Sequence, residues 1–169
     1  MFALIYFANI IDWLNEKIGN ATAWLTISLV LLICTDVVFR YFFKTTAAWI
    51  IELEWHIFAI IFLLGGGYAF KHNRHVRVDL FYANFSEREK AWLNLLGSLL
   101  LLIPWCVVAI VYSIKYAYLS YQIRESSSDP GGLPALYMLK FIIVLGFILL
   151  LMQGVSVIFR NIITLSERK

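Results

Sequence analysis

What this 169-residue chain has little of removes several classes of protein at once. It holds two cysteines, Cys34 and Cys106, each inside an apolar run. A disulfide framework or a CxxC pair is therefore impossible, and both thiols read as buried and inert. Its three histidines include His72 and His75, three apart and in principle able to share a metal. Basic neighbours surround them and no cysteine stands nearby, so a basic flank is the better reading and no metal is expected. No Walker loop, dinucleotide fingerprint, HExxH or nucleophile elbow occurs, which leaves no enzyme chemistry and no cofactor to argue for. Charge is sparse as well, with 14 basic and 11 acidic residues. The net +3 calls for no nucleic-acid partner, because the cations are spaced as topology signals.

What remains is apolar. The chain is 62% hydrophobic, with a mean hydropathy of +0.79. A soluble domain is nearer half apolar, so most of this chain has lipid as its solvent. The six tryptophans fit the same environment, since indole favours the boundary between lipid and water. The expectation is an all-α integral membrane protein forming a single membrane domain over 1–169. It has four transmembrane helices, at about 21–43, 49–70, 91–114 and 137–159, and an N-terminal amphipathic interfacial helix at 1–18.

Taken in order, residues 1–18 lack the leading positive charge of a signal peptide, the first basic residue being Lys17. Asn9, Asp12 and Glu16 recur at helical spacing among Leu4, Ile5, Ile11, Leu14 and Ile18. This is the pattern of a helix lying along the membrane surface; a ragged start to the first span is the alternative. Near the far end of that span Asp36 and Arg40 are four apart, share a face and form an intramembrane pair.

The second span opens on Glu52, Glu54 and Trp55. The two acids point to nearly opposite sides of a helix, and both lie where the helix dipole favours anions. His56, one step on, reads as a hydrogen-bonded packing residue. Gly65, Gly66 and Gly67 strip side chains from a whole turn, which predicts tight helix–helix packing, with a hinge as the alternative.

A capping box, Ser86 with Glu89, starts the third helix near Glu87, and Pro104 predicts a kink within it. Beyond Ile114 that helix turns amphipathic and is expected to continue into water. Arg124 to Leu133, RESSSDPGGL, is the long polar loop, with Ser128 and Asp129 at its centre. Pro134 suits the first turn of the next helix. Gln153 and Gly154 on the fourth span read as packing residues, because an unpaired amide facing lipid is costly.

Four spans put both termini on one side. That side carries nine of the basic residues, among them Lys71, Arg74, Arg77, Arg168 and Lys169, and the other side carries five. The positive-inside rule places the termini in the cytoplasm and Glu52, Glu54 and the polar loop outside. The spans show no inverted repeat, central charge relay or broken helix pair. A scaffold or accessory subunit fits better than a channel or pump.

Three features in this order are similar to one known family: Glu52-x-Glu54-Trp55 opening a span, GGGYAF, and HVRVDL at His75 to Leu80. The segment SSSDPGGLP followed by a span ending LLLMQG adds to the likeness. Over about residues 20–160 the chain resembles the small membrane subunit, of DctQ type, of tripartite ATP-independent periplasmic (TRAP) transporters. The resemblance implies a bacterial inner-membrane protein and a large multi-span partner subunit that carries the substrate and sodium sites. It also implies a periplasmic substrate-binding protein that delivers an organic acid, sialic acid or a C4-dicarboxylate.

As the chain stops at Lys169, the large partner is expected as a separate polypeptide. Glu52, Glu54, Trp55, Arg124, Ser128 and Asp129 are the expected docking residues. Gly65, Gly66, Gly67, Gln153 and Gly154 are the expected helix-packing residues.

Two other classes remain for comparison. A haem-bearing anchor of an oxidoreductase needs paired axial histidines, and only His56 lies within a span. A small four-span drug exporter needs a central membrane carboxylate, and Glu52 and Glu54 lie too near a helix end.

Overall fold

The computed structural model describes residues 2–72, 74, 82 and 84–167. His75, Arg77, the HVRVDL segment, Arg168 and Lys169 lie outside the described residues. Among those described there are four long helices and no strand. Helix α1 runs Phe2–Val38 and widens into a π turn at Phe39–Phe43. Helix α2 is Ala48–Lys71. Helix α3 covers Glu87–Gln122, and α4 covers Tyr137–Glu167. Each of the four is long and apolar enough to cross a membrane.

Local chemistry explains the helix ends and irregularities. Ser86 caps α3 by accepting from the Glu89 N–H, while the Glu89 carboxylate takes the Ser86 N–H at 2.7 Å. Pro104 has no N–H to donate and its ring crowds the carbonyl four residues back. The helix absorbs this as a π turn over Ser98–Leu102, just ahead of the proline. Past Ile114 the helix continues unbroken to Gln122. At 36 residues, α3 is about 54 Å long, well beyond a hydrocarbon core of about 30 Å.

The structure differs from the sequence reading in four places. The described part of the expected interfacial segment, residues 2–18, is not a separate helix; it continues through Gly19 into the first span. Its polar face also turns inward, with Asp12 and Asn15 buried while Phe2, Tyr6, Phe7 and Trp13 look outward. Pro134 precedes α4 by three residues and is not in its first turn. Cys106 is buried but Cys34 is exposed on the outer surface of α1.

Helix α4 is the hub, because α1, α2 and α3 all pack against it. Its contact with α1 is polar. Gln153 is 2% exposed and Asn15 1%. Gln153 Nε2 donates to Asp12 Oδ1 at 2.8 Å, and its Oε1 accepts from Asn15 Nδ2 at 2.9 Å. Ser156 Oγ donates to Asp12 Oδ1 at 2.7 Å, and Arg160 Nε to Asp12 Oδ2 at 2.9 Å. Arg160 also reaches Asn9 Oδ1. One turn along α1, Glu16 accepts from Lys71 Nζ at 2.6 Å and from His72 Nε2 at 2.8 Å, which ties α1 to the end of α2.

Of the three consecutive glycines, Gly67 alone lies at a close approach within this chain. A Cβ there would collide with Asn15 Oδ1 and press on the Leu149 carbonyl. A Cβ at Gly65 or Gly66 would meet nothing. Gly154 packs against Leu102 of α3.

Replacing Gln153 by leucine removes two buried bonds at once and leaves Asn15 short of an acceptor. The expected cost is about 1–3 kcal/mol. Equilibrium unfolding of the purified chain in mixed micelles checks it, and an unchanged midpoint would contradict the hub role.

Candidate docking face

Up-and-down topology brings the end of α1, the start of α2, the end of α3 and the start of α4 to one end of the bundle. The 123–136 connection covers part of that end. Its fold is dictated by a carboxylate on α2. Glu52 is only 6% exposed although it sits in the second turn of its helix. Its Oε1 accepts from Ser127 Oγ, and its Oε2 accepts from the Leu133 N–H at 2.5 Å. Both oxygens are thereby satisfied by the loop.

The loop supports this clamp internally. Ser127 N–H donates to Leu133 O at 3.0 Å, and Gly132 N–H donates to Asp129 O at 2.9 Å. Asp129 N–H donates to Ser127 Oγ at 3.1 Å. Leu136 N–H closes the base on Glu125 O. Gly131 takes φ +79, which the turn requires and glycine adopts without steric cost. At Gly132 any Cβ would strike Ser127 and Glu52, so the Pro-Gly-Gly run is needed for the backbone to reach the carboxylate.

A second tie joins the loop to α4. Lys140 Nζ donates to Glu125 Oε2 and stands 3.9 Å from the centre of the Tyr116 ring. The Lys140 ammonium holds the Glu125 carboxyl below its ordinary range.

The expected docking residues separate into two groups. Glu52, Trp55, Ser128 and Asp129 border one cavity of about 360 Å³, with Ile51 and Leu136 as apolar walls. Trp55 is 44% exposed, and its ring lies against that of His56. His56 Nδ1 meets the Glu52 carbonyl at 2.6 Å. Glu54 and Arg124 do not line the cavity. Glu54 Oε1 is buried without a hydrogen-bond partner among the described residues. Arg124 closes α3 with φ +49.

Asp36 and Arg40 form an ion pair along α1, Asp36 buried and Arg40 half exposed. Ser127, Glu125 and Lys140 were not among the residues singled out from sequence. Ser126, Ser127 and Ser128 are chemically identical, and register alone selects the middle one.

A second, apolar groove of about 450 Å³ lies between α2 and α4, further along the bundle. Phe62, Gly65, Gly66, Gly146 and Phe147 line it, with Arg74 at one edge. Among the described residues no three metal-ligating side chains come together.

These features define a four-helix membrane protein whose polar groups serve helix packing and loop anchoring. The profile of the family described as tripartite ATP-independent periplasmic transporters, DctQ component, matches residues 29–164. The chain belongs to that family and is a small permease subunit of a TRAP transporter. No curated protein matches it. Asp12, Asn15 and Glu16 lie ahead of the matched region, while their partners Lys71, Gln153, Ser156 and Arg160 lie inside it.

The Glu125 tie gives a pH signature. A carboxyl with a lowered folded-state pKa contributes stability above its ordinary value of 4.5 and loses it as pH falls through the lowered one. Limited proteolysis of the 123–136 loop should accelerate below about pH 4.5 in the wild type. Glu125→Gln should show a smaller acceleration over that range, since only the Glu52 anchor is then left to titrate. A wild-type rate flat between pH 7 and pH 3 would contradict the tie.

Proposed function

We propose that this chain is the non-catalytic subunit that braces the large TRAP membrane subunit and helps dock the periplasmic substrate-binding protein. The transported substrate is an organic acid, sialic acid or a C4-dicarboxylate, taken up with sodium across the bacterial inner membrane. The observation that carries the docking half is the Glu52 clamp. It turns a polar loop into a cap of defined shape on one end of the bundle. The charge bias of nine basic residues against five supports placing that cap outside and both termini in the cytoplasm.

Two further features support the bracing half. Large apolar side chains stay exposed over much of the bundle, including Trp24, Phe42, Phe62 and Leu101. A surface of this kind needs lipid or protein over it. Gly65 and Gly66 open a groove in it with room for a neighbouring helix to approach closely.

Each half has its own test. Glu52→Ala with Glu54→Ala should cut uptake by the reconstituted transporter by about tenfold, since the two charged hydrogen bonds of Glu52 to the loop, about 1.5–3 kcal/mol each, are lost. Membrane insertion should be unaffected, and unchanged uptake would sink the docking assignment. Gly66→Phe should weaken co-purification with the large subunit while changing the stability of this chain little, because a Cβ at that position meets nothing inside the chain and the ring enters the open groove. Full co-purification would refute the groove as the bracing surface.

A further inference from the structure

The cavity beside Glu52 has a chemistry more specific than docking in general. Its lining is one aromatic wall, Trp55; two apolar walls, Ile51 and Leu136; and at the rim Ser128 and Asp129. No lysine or arginine lines it. The nearby cation Lys140 is already held by Glu125 and the Tyr116 ring. Glu52 has both oxygens engaged by the loop, so it forms a fixed anionic floor. Asp129 differs: its backbone is bound on both sides, through its N–H and its carbonyl, while its side chain stays exposed at the rim.

We infer that this cavity receives an arginine or lysine side chain of the periplasmic binding protein; the inference rests on the docking reading above. The aliphatic stem lies along Ile51 and Leu136, as long cationic side chains do on apolar surface. The cationic head faces Trp55, whose ring attracts it, and meets Asp129 as its hydrogen-bonded counter-charge. Arginine is the better fit, because a planar guanidinium can stack on the indole and bind the carboxylate through two N–H groups. The volume of about 360 Å³ lies at the small end of ligand pockets, which suits one side chain better than a larger molecule. The clamp matters here because a cap already ordered before the encounter adds little ordering cost to binding. A lipid amine is the competing cation. The loop that carries Asp129 lies beyond the helix ends, which favours the protein side chain.

The test uses the complete complex of both membrane subunits in phospholipid nanodiscs and the binding protein of the same transporter, with affinity measured at low and high salt. Asp129→Asn and Asp129→Lys should weaken binding, the lysine variant by at least about tenfold, and both should flatten the salt dependence. Trp55→Leu should weaken it by about three- to fivefold. Reversing one exposed arginine or lysine of the binding protein to glutamate should restore affinity for Asp129→Lys.

Co-purification with the large subunit checks that each variant is assembled. If both Asp129 variants bind within about twofold of wild type, the inference falls. The docking reading then survives only if Glu52→Ala still weakens binding, and falls with it otherwise. If the Asp129 effect disappears in nanodiscs made only of phosphatidylglycerol, the pocket takes a lipid amine and the inference is overturned.

Discussion

A buried amide in a membrane protein has no water to fall back on, and Gln153 is where this chain meets that constraint. Its side chain is enclosed by α1 and α4 and finds both of its partners on α1. Ser156 and Arg160, on the same helix as Gln153, supply further donors to the Asp12 carboxylate. The bundle is arranged around α4, which packs against the other three helices. Lipid tails give helices no hydrophobic reason to associate, so polar contacts and close steric fit must supply it. Here the polar contacts cluster toward the end that carries the termini, and glycines such as Gly67 and Gly154 supply the fit.

The opposite end uses the same physics for another purpose. Glu52 is a carboxylate with two acceptor oxygens and a helix position that keeps it out of water. It is satisfied by a hydroxyl 75 residues later and a backbone N–H 81 residues later, both from one loop. Anchored at Glu52 and at Glu125–Lys140, the loop becomes part of the bundle's shape. Two acid-centred ties thus give this end of the bundle a surface of defined shape.

Much of this was legible from composition and periodicity. That there are four long apolar helices was readable, because an apolar run of about 20 residues has few other solutions, whereas the first helix begins well before residue 21 and the third runs past residue 114. The capping box at Ser86 and the disturbance near Pro104 were equally readable, since both are set by residues within four positions of each other. The polar face of the first helix was visible as Asn9, Asp12 and Glu16, but its destination was not. An amphipathic pattern says that two environments exist; it does not say whether the polar one is water or the flank of another helix. The same ambiguity hid the difference between Gly67, which touches Asn15, and Gly65 and Gly66, which face an open groove.

Sequence alone determined the solvent of this protein, the number of its crossings and the family it resembles, because hydropathy, helix length and short motifs are local properties. Tertiary structure decided the pairings: Gln153 with Asp12 and Asn15, Glu16 with Lys71 and His72, Glu52 with Ser127 and Leu133. Each joins residues tens of positions apart, and several chemically equal candidates competed for every partner. Only the rotation of each helix about its own axis, fixed when all four pack together, selects among them.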